Sequence, residues 1–580
     1  MLSVPLLKKI SFFYPSRFLK NDLTSLMIVL ISLGLIQLSI GCDESVPKAS
    51  SSQPDGVYQE WFTLTQHHQN HRFHHLDLKG TLLYSGTTHL KVYDLGLYEG
   101  ESFNPDEVDL LFTDEHRQSA PLIFDQVYTD QTTWESTLSG LRALHVFKIT
   151  IECVIEHEGE THRFTHDEWI QHPPLPASFP PIQLNSNPFE DQDQLSQSKY
   201  IFMSLFKWDP RVNQNWGMLV ATDRTGTPLW SFKNNQALDS YVIWPEKGIF
   251  FIQRNQSIVH LNQDAQIVNE WHASDFGLDS IHHELIPLDN GHMLTVGTRA
   301  YPNEGQLRNL MSMDPEYMDP EYIIADLILE LDLENRTVVK EIDLYSYWDP
   351  SQHFTQTSFG RFWEGHYRAL STENTADWTH VNGLNWNKDT QEIIISVRHL
   401  DTLMALHWPS GERLWEYGAF GDVQLESDQT DVLIQDYPRH PHAPSLDQNG
   451  NLFYFDNGNG RKVDDPYSQA VQVKIHTDQE PPVAEQLWAY QLDNRGFAPF
   501  LGDVDHLDNR ALITFGGLIA DPSLPLGLPS NQKYARIIEV PYTDQLNQGQ
   551  PLLDLLIKSS DPEGPGYSVY RAHPLADLTF

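Results

Sequence analysis

Apolar and polar residues alternate with a period of two along most of this chain, the pattern of strands rather than of helices. From Lys199 onward the alternation becomes a repeat. One mark is a polar turn followed by a short run that ends in Trp or an aliphatic residue: Thr227-Pro228-Leu229-Trp230, Gln266 to Trp271, Thr337 to Ile342, Glu412-Arg413-Leu414-Trp415 and Glu485-Gln486-Leu487-Trp488. A second mark precedes most of these: Gly248-Ile249-Phe250-Phe251, Gly291-His292-Met293-Leu294, Glu392-Ile393-Ile394-Ile395, Gly450-Asn451-Leu452-Phe453 and Asn509-Arg510-Ala511-Leu512. Four-stranded units are predicted over residues 199–234, 238–273, 280–345, 378–419, 440–492 and 498–558. The fold class is therefore all-β, and the units predict a six-bladed β-propeller over residues 199–558 with a C-terminal tail at 559–580. The insertions Asn303–Asp319 and Tyr345–Asp377 are expected on one face, as a rim or lid. Upstream, Thr81–Tyr84, His89–Val92, Val108–Phe112, Leu144–Ile155 and Glu160–Thr165 read as strands of a small N-terminal β-sandwich over residues 58–180. The Pro-rich stretch Pro173–Pro181 is a stiff linker, and Asn185–Gln197 reads as surface loop.

The first 57 residues break this pattern. Lys8, Lys9, Arg17 and Lys20 form a basic start, and Leu26–Ile40 is an almost uncharged apolar run ending in Ser39-Ile40-Gly41-Cys42. A small residue before Cys at the end of such a run predicts a signal peptide with a lipobox over residues 1–42 and lipid attachment at Cys42. The alternative is a plain N-terminal membrane anchor. Either one exports the protein and tethers it to a membrane, in a periplasm or at the cell surface. Residues 43–57 are a linker by composition. The only other cysteine, Cys153, lies in the alternation Phe147–Ile155 and reads as a buried structural thiol. Two cysteines exclude a disulfide framework and a Cys-based zinc site. Across 580 residues, 79 acidic against 38 basic side chains leave a net charge of −41. Such a surface argues against nucleic acid as a partner, and an anionic substrate would need a local positive patch.

In a propeller the first strand of each blade lines the axis, so the residues that begin the blades converge. The third unit begins with Ile281-His282-His283-Glu284, the fourth with Asp377-Trp378-Thr379-His380-Val381-Asn382 and the fifth with His440-Pro441-His442-Ala443. Arg398 ends the second strand of the fourth unit and is expected to reach the pocket of His380 and Asn382. A single His among 27 is more often a surface or core residue; three successive blade starts are what single these out. Three imidazoles could hold Zn²⁺, but Arg398 beside them opposes a dication. The set suits an oxyanion, held by Arg in bidentate fashion with His and Asn as donors. Neutral imidazole is also a nucleophile at neutral pH, and a second imidazole can serve as general acid and base.

The blocks Asp377 to Asn382, Glu392 to His399, His282-His283-Glu284 with Asn290-Gly291, and His442 with Asn449 to Gly458 resemble the signature regions of bacterial aryl-sulfate sulfotransferases. The resemblance covers roughly residues 199–558. It implies a six-bladed propeller with a small N-terminal β domain. It implies ping-pong transfer of a sulfuryl group from a phenolic sulfate ester to a phenol, with no nucleotide sulfate donor, cofactor or metal. By the same resemblance His442 matches the nucleophile that becomes sulfo-histidine, and His380 matches an axial histidine with acid–base or sulfuryl-binding duty. His283 and Arg398 match residues that bind the sulfuryl oxygens, and Asn382 matches a supporting donor. His440 and His282 compete with His442 and His283 for those places. A homodimer is compatible with this layout. Three other activities are compatible with the same residues: a non-catalytic binding propeller, a metal-dependent hydrolase or lyase, and an aryl sulfatase that passes the group to water.

Overall fold

Strand after strand in the second half of the chain has both faces buried, which is why its sequence reads as unbroken apolar runs rather than as strict alternation. In Glu392–Val397, Ile393 and Ile395 point into one apolar cluster and Ile394 into the next. Each such side chain contributes about 1.5–3 kcal/mol when fully buried. The structure is a computed structural model that describes residues 62–578 apart from segments 68–73, 99–102, 106–107, 177–178, 187–197, 210–213, 308–319, 354–374, 427–435, 462–465, 493–495, 525–530, 543–550 and 562–563. The expected signal peptide, Cys42, the linker and most of both long insertions lie outside the described residues. All described residues belong to one unit, Pro54–Phe580. They include no helix long and apolar enough to cross a membrane.

Among the described residues, six sheets follow one another along the chain after the N-terminal one. Sheet 1 has the order Ser568–Leu575, Tyr200–Asp209, Gln214–Asp223 and Pro228–Asn234. Sheet 2 runs Leu238–Trp244, Gly248–Gln253, Ser257–Leu261 and Ile267–His272. Sheet 3 runs His282–Pro287, Met293–Pro302, Tyr322–Asp332 and Thr337–Asp343, with Thr375–Asp377 parallel to the start of its third strand. Sheet 4 runs Val381–Asn387, Glu392–Val397, Thr402–His407 and Arg413–Gly418. Sheet 5 runs Pro441–Leu446, Leu452–Asp456, Gln469–His476 and Val483–Gln491, with Gln424–Leu425 outside it. Sheet 6 runs Asp503–Leu507, Arg510–Ile519, Lys533–Pro541 and Leu553–Ile557, and takes Ile182–Ser186 on its outer edge.

The first strand of each sheet packs against the first strand of the next, and Ser568–Leu575 touches both Asp503–Leu507 and Leu238–Trp244, so these contacts form a closed cycle. One apolar cluster fills each junction between successive sheets, including the junction of sheet 6 with sheet 1. Trp230, Trp271, Trp415 and Trp488 all sit in fourth strands and are buried in these junctions. Residues read from sequence as a tail thus contain the strand that completes sheet 1.

The N-terminal segment departs from the expected sandwich. Among the described residues it is one sheet of five strands. Thr81–Tyr84 and His89–Val92, expected as separate strands, are halves of the 22-residue strand Leu76–Leu97. Its register against Leu122–Leu138 shifts around Gly86, and both halves feed one core with Trp134, Phe147 and Ile151. The first strand meets the last through Gln66 Nε2, which donates to Glu168 Oε1 at 2.7 Å, and through the rings of Phe62 and Phe164. One sheet therefore curls on itself where two stacked sheets were expected. Val108–Phe112, expected as a strand, holds the single helical turn Val108–Leu111. Cys153 is a buried free thiol, as its alternation implied, and burial pushes it up to about 11.

Candidate active site

First strands carry the site because they are bulged. Between first and second strands the register shifts at Leu238/Tyr241, His282/Leu285, Val381/Gly383, His442/Ser445 and Val569/Ala572. A bulge re-aims a side chain that regular pleating would send into a junction between sheets. The strand Asp503–Leu507 of sheet 6 has no such shift. At or beside these bulges the backbone turns left-handed at residues other than glycine: His283 at φ 62°, His380 at 52°, His440 at 52° and Ala443 at 47°. Such residues cost about 1–3 kcal/mol each and persist where the surroundings fix them. Here the surroundings do: Val381 N donates to Asp326 Oδ2 at 2.7 Å, and His440 N to Asp401 Oδ1 at 2.7 Å. Glycine is required at two points. A Cβ on Gly383 would lie 2.5 Å from Pro444 Cδ, so only glycine lets the first strands of sheets 4 and 5 approach. Gly502, at φ +112° beside His442, has Phe455 where a Cβ would lie.

The structure brings the buried His283, His380 and His442 and the half-buried Arg398 into one cluster. The rings of His283 and His380 lie 5.0 Å apart at 72°. The ring of Tyr570 stands 6.1 Å from His283 and 5.7 Å from His442. His380 Nδ1 donates to Asp377 Oδ2 at 2.5 Å, which leaves the lone pair of a neutral ring on Nε2. His399 donates Nδ1–H to the Asp377 carbonyl at 2.7 Å and accepts from Arg398 Nη1 at 2.6 Å. Arg398 Nη2 donates to the Pro499 carbonyl at 3.0 Å. Among the described residues Arg398 has no carboxylate ion pair; Asp401, a nearby candidate for one, instead pairs with Arg439 at 2.8 Å. Asn382 is buried in the bulge of sheet 4. Its Oδ1 accepts from Ser396 Oγ at 2.6 Å, and its Nδ2 has no hydrogen-bond partner among the described residues.

Both pairs left open by the sequence lie within the buried network, but at different places. His282 reaches Asp326 Oδ1 at 3.1 Å through Nε2 and His283 Nδ1 at 2.6 Å through its own Nδ1, so it stands behind His283. His440 faces His399, ring centroids 5.7 Å apart, whereas His442 faces Tyr570. His442 Nδ1 is buried with no hydrogen-bond partner among the described residues.

Electrostatics keep these imidazoles neutral. Burial, first of all, and then the charge of Arg398 hold His380 down to about 3. Burial lowers His283 well below the usual histidine range, helped by its histidine neighbours and by Arg398. Burial, then Arg571 and Arg398, does the same to His442, against the Gly502 carbonyl, which favours a proton there. Burial pushes Arg398 down to about 10, offset by Asp377 and Asp401, so it stays charged at neutral pH. A cationic guanidinium among neutral imidazoles is a site for an anion with lone pairs aimed at it. Asp377, His380 and His399 also bring ligand atoms within 4.8 Å of one another. Both ring nitrogens of His399 are engaged, however, one by Arg398 itself, so a metal there would have to displace the guanidinium.

Comparison with known proteins bears on the same residues. The family model of arylsulfotransferase (ASST) matches residues 186–550. The chain belongs to this arylsulfotransferase family. Its match includes every first strand except Ser568–Leu575, and all five sequence-predicted residues of the cluster. The chain is similar to the arylsulfate sulfotransferase AssT of Escherichia coli, 23% identical over 321 residues, covering 47% of this chain and 51% of that protein. It thus spans about half the length of that curated relative. Among solved structures it is similar to the periplasmic gluconolactonase PpgL of Pseudomonas aeruginosa at 10% identity, TM-score 0.31, covering 84% of this chain and 99% of that one. It is also similar to a Kuenenia stuttgartiensis hydrazine synthase at 9% identity, TM-score 0.26, covering 50% and 60%.

Sequence reasoning missed Tyr570, Arg571 and Glu284 as parts of the cluster's surroundings, and Asp377 and His399 as its supports. Glu284 and Asp377 stood inside the quoted motifs. Tyr570 and Arg571 fall beyond the last predicted unit.

Proposed function

We propose that this arylsulfotransferase-family chain is an aryl-sulfate sulfotransferase built on a six-bladed propeller, passing the sulfuryl group through His442. The cycle of first-strand contacts and the apolar cluster at each junction support the propeller. The observation that carries the chemistry is the gathering of His283, His380 and His442 from three successive sheets, held neutral by burial, around a charged Arg398 that makes no direct ion pair among the described residues. In the first half-reaction a lone pair of His442 forms an N–S bond as the S–O bond of the donor ester breaks, and the phenolate leaves with the electron pair. Arg398 and the Nδ2 of Asn382 stabilise charge on the sulfuryl oxygens. In the second half-reaction the acceptor phenol gives its proton to His380 Nε2, its oxygen attacks sulfur, and the electron pair of the N–S bond returns to His442. The proton then passes from His380 to the departed phenolate or to water. His283 lines the other side of the group. Lipidation at Cys42, export and membrane tethering belong to the same proposal and rest on the N-terminal sequence alone.

The test is a timed assay of the full chain with 4-nitrophenyl sulfate, with and without phenol, against His442→Ala. Phenol-dependent nitrophenolate release that disappears in the variant is the expected result. Release without phenol, accompanied by inorganic sulfate, would make the protein a sulfatase. Activity lost to a chelator and restored by zinc would replace sulfuryl transfer by metal chemistry at Asp377, His380 and His399.

A further inference from the structure

The strand Ser568–Leu575 brings a buried ion pair to the ring of first strands. Arg571 donates from Nη1 to Glu284 Oε1 at 2.7 Å and from Nη2 to Glu284 Oε2 at 2.8 Å. Glu284 is the residue after His283, in the same bulge. Its carboxylate also accepts from Leu384 N at 3.4 Å, on the strand that carries Asn382, and from Ser240 Oγ at 3.4 Å, on the first strand of sheet 2. Next to Arg571, Tyr570 donates its hydroxyl to the His283 carbonyl at 3.1 Å. On the other side Asp503 Oδ2 of sheet 6 lies 3.8 Å from Arg571 Nε. One guanidinium and one carboxylate thus bind together first strands of sheets 1, 2, 3 and 4, with sheet 6 at the edge.

A buried pair of this kind adds little net stability over an apolar pair of the same volume, because both ions lose their water. What it provides is geometry: two parallel N–H···O bonds fix a carboxylate in distance and in plane. Each guanidinium NH₂ group spends one hydrogen on Glu284, so the carboxylate is held at both oxygens by the strand of sheet 1. We propose that Arg571 and Glu284 are a positioning pair, which sets His283 and the strand of Asn382 at their working distances from His442. This rests on the sulfuryl-transfer reading of the site.

The experiment compares the full chain with Arg571→Met, Arg571→Lys, Glu284→Gln and the double variant Arg571→Met/Glu284→Gln. It measures kcat and KM for 4-nitrophenyl sulfate with phenol, normalised to the sites counted by the burst of nitrophenolate, together with Tm. Displacement of reacting groups by an ångström costs about 100-fold. We expect kcat per counted site to fall about 10- to 100-fold in Arg571→Met and in Glu284→Gln, with KM nearly constant. The double variant should be no slower than the slower single one, and Arg571→Lys should lie between. Variants whose Tm and number of active sites fall while kcat per site stays at the wild-type value would overturn the proposal. If Arg571→Met does not fold, Glu284→Gln, equal in shape, and Tyr570→Phe, which removes only the bond to the His283 carbonyl, decide by the same criterion. Wild-type protein without transfer, or an active His442→Ala variant, would defeat the reading of the site itself. With an active wild type and an inactive His442→Ala, any failure in the Arg571 and Glu284 variants counts against the positioning pair alone.

Discussion

Among the described residues two groups of histidines are buried and kept neutral by that burial, but they are held in different ways. In the N-terminal segment His74 and His172 stack at 4° with centroids 6.1 Å apart, and His74 Nδ1 donates to the Leu141 carbonyl at 2.9 Å. Burial holds His74 down to about 4. It too is kept neutral, but its backbone is not left-handed and its ring meets that of Phe179 edge-on, 6.1 Å away. The second group stands on bulges, two of its members at positive φ, with a guanidinium in its midst. A depressed basicity therefore does not mark a site. What sets the second group apart is strain, convergence from several sheets and a guanidinium without a direct ion pair among the described residues.

Breaking the second group should be costly and breaking the first should not. The largest effect is expected for His442→Ala, a loss of about 10³-fold or more in kcat/KM for aryl sulfate, since no other ring takes over the N–S bond. Arg398→Met should lower kcat by about 10²- to 10³-fold, measured with a saturating phenol, and Arg398→Lys by less. Asn382→Ala should cost about 10- to 100-fold, the worth of one hydrogen bond to a charged group. In contrast, His74→Phe should leave kcat within about twofold and move only Tm, because the bond it gives up to the Leu141 carbonyl is worth about 1 kcal/mol and lies in the N-terminal sheet's surroundings. A large fall in kcat for His74→Phe would dissolve the distinction between the two groups.

Acid treats both groups alike. His380 and His399 are held down to about 3 and His74 to about 4, against roughly 6.5 in the unfolded chain. As pH falls, the unfolded state takes up protons first. The stability these rings carry is thus present above about 6.5 and is lost progressively as pH drops towards 3–4. Between pH 7 and 5 each should lose about 2 kcal/mol, read as a falling urea midpoint. Over the same range kcat/KM should show no acid limb near 6.5, because the rings of the site are still neutral.

Much of this architecture was legible locally. Runs such as Ile393-Ile394-Ile395 announce strands buried on both faces, and the Trp or aliphatic residue after each quoted polar turn falls in a fourth strand. The three His-bearing first-strand starts were legible because they fall at one place in consecutive units. The curled N-terminal sheet was not: nothing in Leu76–Leu97 separates one long strand from two short ones, since its bend lies in register and packing rather than in turn residues. The strand Ser568–Leu575 was missed because its companions are remote. Tyr200–Asp209 lies more than 350 positions earlier, and Glu284 is 287 residues from Arg571. Tyr, Arg and His within it, read alone, look like exposed polar residues rather than the lining of a ring.

That strand also sets a clock. Tyr200–Asp209 is among the first parts of the six sheets to be made, and the strand that covers its inner side is among the last. Until residue 575 has left the ribosome the ring has an open seam, Glu284 has no guanidinium, and the His283 carbonyl lacks its tyrosine. A chain that stops before Ser568 therefore lacks the inner strand of sheet 1, the tyrosine on the His283 carbonyl and the guanidinium on Glu284.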